Sequence, residues 1–281
     1  MPFPEVSKAE WLAKVEKDLK GKPLSSLDFS LAGETLSPFW HAEDLPALPP
    51  PLPQSKGWKI GVHLPVTDIA TGNEIALREL MGGVEYLYFT HHGLIRSPED
   101  RAALLSGIFQ DMVDIVVHDT SLKPWQPAGL AELPATLIQF AELPEVPVLW
   151  LRAPQDFYLN LATVRAARAC LELIQQTKGA RGGLQIGVVV SPEHPSADTS
   201  KIDASAKAVA AVAGGADILL VDPSDHQPGS TFSRRIARNV QHLLQQESYL
   251  NRVADPAAGS YFLENLTDTL ARNIWTEFQS L

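Results

Sequence analysis

Histidines, carboxylates and one arginine recur directly after short apolar segments of this sequence, and these residue types could bind a substrate or transfer a proton. The set consists of His63, His91, His118, Asp119, Arg152, Asp222 and Asp225. Asp119 directly follows His118, an arrangement in which a carboxylate could orient an imidazole. Each of these residues has a second interpretation as a loop residue that satisfies backbone groups at a strand end. The pattern therefore predicts a polar rim and, by itself, no particular reaction.

The spacing of the eight histidines does not indicate a metal site. No HxH or HxxxH pair occurs on one predicted element, and His91 and His92 would point to opposite faces of a strand. The sequence also lacks a glycine-rich phosphate loop followed by Lys and Ser or Thr, and it lacks a GxSxG motif. We therefore predict no metal ligand.

From Gly57 onward, the segments that carry the polar residues alternate between predicted strands and predicted helices. The strands are "WKIGVHLPV", "VEYLYFTHHG", "VDIVVHD", "VPVLWLRAP", "LQIGVVVS" and "ADILLVDPSD". Apolar runs without polar alternation are typical of strands buried on both faces of a parallel sheet. Residues 57–281 are therefore predicted to form a TIM-type β/α barrel, abbreviated or incomplete with six to eight parallel strands, or a doubly wound sheet. In both folds the site lies at the carboxyl ends of the strands.

Residues 1–56 are predicted to form an extended N-terminal arm. Ser7 and Glu10 form a capping box at the start of one helix, and Gly21 ends it. The run "LPALPPPLPQSKG" from Leu45 has five prolines, which predicts an extended connector. The arm contains several aromatic side chains but no core of its own. We therefore expect it to cover the barrel or a partner chain.

Composition and charge exclude several classes of function. The formal net charge of -10 argues against nucleic acid or an anionic membrane as a partner. Cys170 is the one cysteine, which indicates a reducing compartment, so the cytoplasm is the expected location. No apolar run approaches the roughly 20 residues of a membrane span, and the N-terminus lacks the pattern of a signal peptide.

The C-terminal third carries several motifs in a specific order: "SRRIARN" from Ser233, "LLQQES" from Leu243 and "VADPAAGSYFLENLT" from Val253. Upstream lies a helical segment, "DFYLNLATVRAARACLEL". Together these motifs closely resemble the barrel domain of the methylmalonyl-CoA mutase family. The resemblance implies a structural motif made of Arg165, Arg168, Arg235, Arg238, Asn239, Asp255, Gly259 and Ser260.

The segment "ADPAAGS" is predicted to be a tight turn between an apparent strand and the last helix. Asp255 can cap the turn through its side chain, and Pro256 fixes φ. Residues 257–259 are small and let the backbone pass close to a neighbouring segment. In the family this turn follows the last barrel strand. We expect its role here to be structural rather than chemical.

The resemblance implies a chemistry as well as a fold. Enzymes of the family rearrange the carbon skeleton of an acyl-CoA thioester, with a radical supplied by adenosylcobalamin. The CoA threads the barrel, and the corrin lies across the barrel mouth on a separate domain. Here Gly61, Val62 and His63 stand where catalytic members have an arginine and then a tyrosine, and the family's Gly-Tyr-His motif is missing. The chain is therefore expected to contribute no catalytic residue.

The cobalamin-ligating pattern Asp-x-His-x-x-Gly has its nearest match in "SDHQPG", where Ser224 replaces the aspartate. The chain is expected to have no cobalamin-binding domain and to bind no cofactor by itself. The stretch "NEIALRELMGGVEYLYF" resembles the smaller, non-catalytic subunits of the family. The leading expectation is a truncated non-catalytic small subunit, inactive alone. It would pair with a large catalytic subunit that holds adenosylcobalamin, or with itself as a dimer.

Two alternatives remain open from the sequence. The chain could be the acyl-CoA-binding catalytic component of a split mutase whose cobalamin domain is a separate protein. In that case Arg152, His118, Asp119 and Asp225 would supply polar contacts to the acyl-CoA. It could also be a fragment cut at a domain boundary, although the missing internal segment argues against simple truncation.

Overall fold

The computed structural model of this chain describes residues 6–45, 52, 57–142, 148–178 and 184–281. Most of the proline-rich connector predicted from Leu45 lies outside the described residues. The first five residues of the predicted arm also lie outside the described residues. None of the described helices is both long and apolar enough to span a membrane.

An N-terminal arm is followed by strands and helices that alternate along the chain. The strands are β1 (Phe29–Leu31), β2 (Glu34–Leu36), β3 (Lys59–Pro65), β4 (Tyr86–His91), β5 (Asp114–Asp119), β6 (Val148–Arg152), β7 (Gln185–Val190) and β8 (Ile218–Val221). The helices are α1 (Lys8–Asp18), α2 (Ile69–Met81), α3 (Pro98–Leu104), α4 (Leu133–Glu142), α5 (Phe157–Lys178), α6 (Ala197–Ala213), α7 (Thr231–Gln246) and α8 (Tyr261–Ser280). Strands β3 to β8 correspond to the six apolar runs of the sequence.

Strands β3 to β8 form one parallel sheet in the order β5-β4-β3-β8-β7-β6. The first strand of the sheet, β3, pairs with the last, β8, as in the closure of a barrel. A doubly wound sheet instead keeps its first and last strands apart. The prediction of an incomplete TIM-type barrel is therefore confirmed. It has six strands and is curled into a half-barrel that opens between β5 and β6.

Two hydrophobic clusters cover the convex face of the half-barrel. In one, Phe89 of β4 packs with Leu104 of α3. In the other, Val188 of β7 packs with Leu270 of α8. Successive strand residues point to opposite faces, so the side chains between these positions point into the concave face. The concave face is where the candidate residues of the strand ends meet.

Close packing of the concave face depends on two glycines. A Cβ on Gly187 would overlap the ring of Trp150 on the neighbouring strand. A Cβ on Gly61 would overlap the Leu220 side chain in the same way. Because protein interiors are close-packed, these glycines make the room that the two large side chains occupy.

The arm packs against helix α8 of its own chain. The capping box predicted at Ser7 and Glu10 forms at the start of α1. The hairpin of β1 and β2 places Phe29 6.2 Å from Phe262, measured between ring centroids. Asn273 of α8 donates a hydrogen bond to Glu34 of β2 at 3.0 Å. The arm therefore covers part of the half-barrel, one of the two positions expected for it.

The expectation of a strand directly before the "ADPAAGS" turn is wrong. The last strand, β8, ends at Val221, and α7 follows it. A 3-10 turn at Leu250–Arg252 then leads into the tight turn, and Ser260 caps α8 by accepting a hydrogen bond from the Leu263 N–H. Strand β8 pairs with β3 on one side and with β7 on the other. Neither edge of β8 is therefore free to pair with the run "NRVA".

Candidate functional site

Two of the predicted rim residues, His63 and Asp222, meet on the concave face at the carboxyl ends of β3 and β8. The Nδ1 atom of His63 lies 3.5 Å from Oδ1 of Asp222, and both side chains are largely buried. On its other side, Nε2 of His63 lies 2.9 Å from the Thr90 hydroxyl. The imidazole therefore stands between a carboxylate and a hydroxyl, and the pairing of β3 with β8 and β4 creates this arrangement.

Ser191 and Gln227 complete the polar network around Asp222. The Ser191 hydroxyl donates to Oδ2 of Asp222 at 2.6 Å. The side-chain amide of Gln227 donates to Oδ1 of Asp222 at 2.8 Å and to the His63 carbonyl at 3.1 Å. These hydrogen bonds hold the Asp222 carboxylate in one orientation beside His63.

Aromatic side chains fill the concave face below and beside this network. Trp125 comes from the loop after β5, and its ring stacks on Tyr88 at 4.6 Å and lies 4.2 Å from His63. Trp150 meets Tyr88 edge-on at 5.2 Å. Burial raises the pKa of the Tyr86 hydroxyl to about 12, and it also raises the pKa of Tyr88, so both phenols stay neutral. The indole of Trp125 lies against the His63 imidazole on the concave side of the sheet.

A hydroxyl, an imidazole and a carboxylate in sequence can hold and pass a proton. The distance from Nδ1 of His63 to Asp222 exceeds that of a usual hydrogen bond, about 2.9 Å. Thr90 is buried, and Trp125 stands next to His63. As it stands, the network can orient the imidazole, and a ligand that reaches it has to displace the indole.

His91 and Asp119 also lie near each other, with 3.8 Å between Nδ1 and Oδ1, but outside this network. His91 alternates with Thr90 along β4 and so points away from the concave face. Its Nδ1 accepts a hydrogen bond from the Leu94 N–H at 3.2 Å. Asp119 accepts hydrogen bonds from the Ser121 hydroxyl and N–H, at 2.7 and 2.9 Å.

Hydrogen bonds to Ser121 and to the Gly93 N–H lower the pKa of Asp119 to about 2. A carboxylate with this pKa is ionised at neutral pH and is a poor proton acceptor. His91 and Asp119 thus order the loops after β4 and β5, which is the simpler of the two interpretations offered by the sequence.

The remaining rim residues are separate from the His63 network. Nε2 of His118 lies 2.7 Å from the Lys123 carbonyl. Arg152 is exposed and lies 3.6 Å from Glu132. Asp225 accepts a hydrogen bond from the Ser230 N–H at 3.1 Å, and bonds to Ser230 contribute to the lowering of its pKa, against the opposing effect of burial.

A shallow groove opens at the carboxyl ends of β3 and β4. It has a volume of about 440 Å³ and includes His92 and Arg96 among its lining residues. The Arg96 Nε donates to the Gly93 carbonyl at 2.7 Å, which leaves the rest of its guanidinium toward solvent. This groove is separate from the concave network. Arg96 gives it a positive charge.

Comparison with known proteins finds a family match in the C-terminal part of the chain. The sequence pattern of the family described as methylmalonyl-CoA mutase matches residues 150–281. Residues 150–281, just under half of the chain, are therefore similar in sequence to the methylmalonyl-CoA mutase family. The matched part begins within β6 and includes strands β7 and β8 and helices α5 to α8. It supplies Ser191, Asp222 and Gln227 of the concave network.

Curated relatives show the same similarity over a similar part of the chain. A probable methylmalonyl-CoA mutase small subunit of Mycobacterium tuberculosis is 38% identical over 143 residues, which is 47% of this chain and 23% of the relative. A methylmalonyl-CoA mutase small subunit of Streptomyces virginiae is 38% identical over 136 residues, covering 46% and 22%. The methylmalonyl-CoA mutase of Escherichia coli is 34% identical over 128 residues, covering 42% and 18%. The chain thus matches less than a quarter of the length of these relatives.

Within the described part of residues 150–281, Arg165 is the most deeply buried arginine. Its guanidinium donates to Glu264 at 2.8 Å and to the Thr267 hydroxyl at 3.3 Å, and it forms an ion pair with Asp255. The second oxygen of Glu264 accepts a hydrogen bond from the Gly259 N–H at 3.0 Å. The motif residues Arg165, Asp255 and Gly259 therefore join α5, the tight turn and α8.

The other arginines of the motif differ in how deeply they are buried. Arg168 pairs with Asp217 at 2.6 Å, and Asp217 also accepts from the Ile186 N–H at 2.8 Å. Arg238 pairs with the buried Glu79 of α2, which joins α7 to α2. Arg235 and Asn239 are exposed on α7. Their neighbour Arg234 is buried instead, and it donates to the Pro228 carbonyl at 2.7 Å.

Sequence reasoning missed Arg234, Thr90, Trp125 and Gln227. The period of α7 contains the signal for Arg234, because it shares the buried face with Ala237, Gln241 and Leu244, three or four residues apart. The other three depend on which strands are neighbours. No local pattern of residues gives that order.

The residues of "SDHQPG" do not fit a cobalt-ligating imidazole. A ligating histidine is normally oriented by a hydrogen bond from its second nitrogen. The Ser224 hydroxyl lies 3.1 Å from the Ser233 hydroxyl, on the first turn of α7, instead of near His226. Within the described ranges, no group of three or more His, Cys, Asp and Glu residues could hold a metal ion.

Proposed function

We propose that this chain is a non-catalytic, small-subunit-type member of the family that supports a cobalamin-dependent acyl-CoA mutase. The observation that carries the proposal is the filled concave face. Trp125, Tyr88 and Trp150 occupy the half-barrel interior, where catalytic members of the family bind the acyl-CoA thioester. The small subunits among its relatives support the same role.

The partner in this proposal is a large catalytic subunit that holds adenosylcobalamin and supplies the catalytic residues. The geometry around Ser224 and His226 agrees with a cofactor held elsewhere. The one thiol, buried at Cys170, agrees with a reducing compartment, so we place the chain in the cytoplasm. The arm of residues 1–56 and the half-barrel of residues 57–281 would act as one supporting unit, since the arm packs on α8.

Affinity purification of the tagged chain from its native cell tests the partnership. We expect a larger mutase-family subunit to co-purify. We also expect the purified chain to leave the corrin spectrum of adenosylcobalamin unchanged and to show no conversion of methylmalonyl-CoA. Turnover by the chain and cofactor alone would refute the non-catalytic role.

A second candidate function is favoured by the polar network of His63, Asp222 and Thr90. In that case the chain is the acyl-CoA-binding component of a split mutase, and the cobalamin domain is a separate protein. The imidazole would then donate a hydrogen bond to the thioester carbonyl after Trp125 moves aside. Calorimetric titration with acyl-CoA distinguishes the two functions. Binding that is lost in His63→Ala and retained in the exposed control His92→Ala would favour the split-mutase component.

A further inference from the structure

Strand β5 ends the half-barrel with an open edge. The outer edge of β6 is occupied, because the Ala128 N–H donates to the Trp150 carbonyl and the Arg152 N–H donates to the Ala128 carbonyl, both at 2.9 Å. No strand among the described residues pairs with the outer edge of β5. The burial of the two neighbouring strands agrees with this: every residue of β4 is buried, whereas residues 115–119 are only half-buried.

The register of β5 shows which of its backbone groups point outward. The Asp114 N–H donates to the Glu85 carbonyl at 3.1 Å, and the Thr120 N–H donates to the His91 carbonyl at 2.8 Å. Because the direction of the N–H alternates along a strand, residues 115, 117 and 119 direct theirs away from β4. An exposed row of this kind is a template for pairing with another strand.

Large apolar side chains stand exposed at both ends of this edge. Phe109 and Met112 lie in the turn before β5 and are 72% and 79% exposed. Leu122 lies in the turn after β5 and is 85% exposed. An open edge with apolar side chains at both ends is unusual for the free surface of a monomer. It indicates an interface.

We propose that β5 pairs antiparallel with β5 of a second copy of this chain, about a two-fold axis at Val117. In this register Ile115 faces Asp119 of the other copy, and Asp114 faces Thr120. The turn that carries Asp111 and Met112 lies beside the turn that carries Leu122 and Lys123 of the other copy. Apolar side chains then meet each other, and an exposed acid meets an exposed base.

Charge disfavours two other arrangements of the strand pair. A shift of the axis by half a residue toward the start of β5 places Asp114 opposite Asp119. A parallel, in-register pair places each of these aspartates beside its own copy. Like charges directly opposite each other destabilise a strand pair. The axis at Val117 avoids both conflicts and also pairs residues whose backbone groups point outward. This inference does not depend on the proposed function.

A symmetric cross-link tests the axis. In the antiparallel pair the two Val117 Cα atoms are about 5.5 Å apart, within the range of a disulfide. Val117→Cys is therefore expected to form a covalent dimer under mild oxidation. Ile115→Cys lies on the same edge and the same face, but two 115 residues are roughly 14 Å apart along the strand, so it serves as the uncross-linked control. The native Cys170 is buried and contributes no background.

Charge exchange tests the register without a cross-link. Asp111→Lys places two lysines together on each side of the axis, and we expect the dimer Kd to rise roughly three- to tenfold. The double variant Asp111→Lys with Lys123→Asp restores opposite charges and should return the Kd to that of the native chain. Sedimentation equilibrium measures all three proteins. Both residues are exposed, so folding is expected to be unaffected.

The outcomes separate clearly. A native dimer, a covalent dimer from Val117→Cys alone and recovery in the charge-exchanged variant support β5 pairing. A native chain that stays monomeric at tens of micromolar overturns it. So does a dimer in which Ile115→Cys cross-links as well as Val117→Cys. If β5 does not pair with a second copy, the proposed mutase partnership is not affected, because co-purification of a different subunit tests that partnership.

Discussion

Arg165 of α5 and Asp255 of the tight turn form an ion pair in which both side chains are almost fully removed from solvent. Glu264 of α8 is the second acid on the same guanidinium, at 2.8 Å. One arginine thus fixes the turn and the last helix to the long helix. In the turn itself Ala257 is buried, and Gly259 has a φ of 83°, a left-handed conformation that favours glycine.

The first prediction concerns this buried cluster. Replacing Arg165 with Met leaves two carboxylates buried without a cation, so we expect a loss of about 3–5 kcal/mol in the free energy of unfolding. Arg235→Met on the exposed face of α7 is the matched control and should change it by less than about 0.5 kcal/mol. Urea unfolding followed by circular dichroism measures both. Equal effects from the two variants would contradict the structural role of Arg165.

The second prediction concerns the thiol of Cys170. Burial raises the pKa of this thiol to about 12, so the reactive thiolate is scarce at pH 8. We expect a thiol reagent such as DTNB to label the native chain only as fast as the chain unfolds. The labelling rate should then rise with urea in parallel with the unfolding rate. Rapid stoichiometric labelling in the absence of denaturant would show that Cys170 is accessible.

The third prediction concerns the contact between Gly187 and Trp150. A methyl group at 187 overlaps the indole, so Gly187→Ala is expected to cost about 1–3 kcal/mol of unfolding free energy. Trp150→Phe removes the overlapping part of the ring. In the double variant the cost of the alanine should therefore fall by at least about 1 kcal/mol. A strictly additive double-mutant cycle would argue against this contact.

The sequence predicted the strand runs. It also indicated that His63 and Asp222 lie at the same edge of a parallel sheet, where the structure brings their side chains together. It left open whether the sheet was a barrel or doubly wound. That difference depends on the pairing of β3 with β8, between residues more than 150 positions apart. The same pairing decides that His63 points inward and that Gln227 reaches it. His91 and His118 hydrogen-bond to loop backbone, and a pocket role for either residue stays a prediction.

The last prediction concerns Asp119 and the loops that it orders. Its pKa is lowered from 3.8 to about 2, mainly by the Ser121 hydroxyl and then by the N–H groups of Gly93 and Ser121. A carboxylate with a lowered pKa in the folded state adds stability above the pKa of the unfolded state. That stability is lost as the pH falls through the folded pKa. Asp119→Asn should therefore be less stable than the native chain at pH 6, and the difference should shrink between about pH 4 and pH 2. Urea unfolding at several pH values in this range measures the difference, and Asp111→Asn, an exposed carboxylate in the turn before β5, is the control. A difference that stays constant down to about pH 2 would mean that the ionised form of Asp119 does not hold these loops.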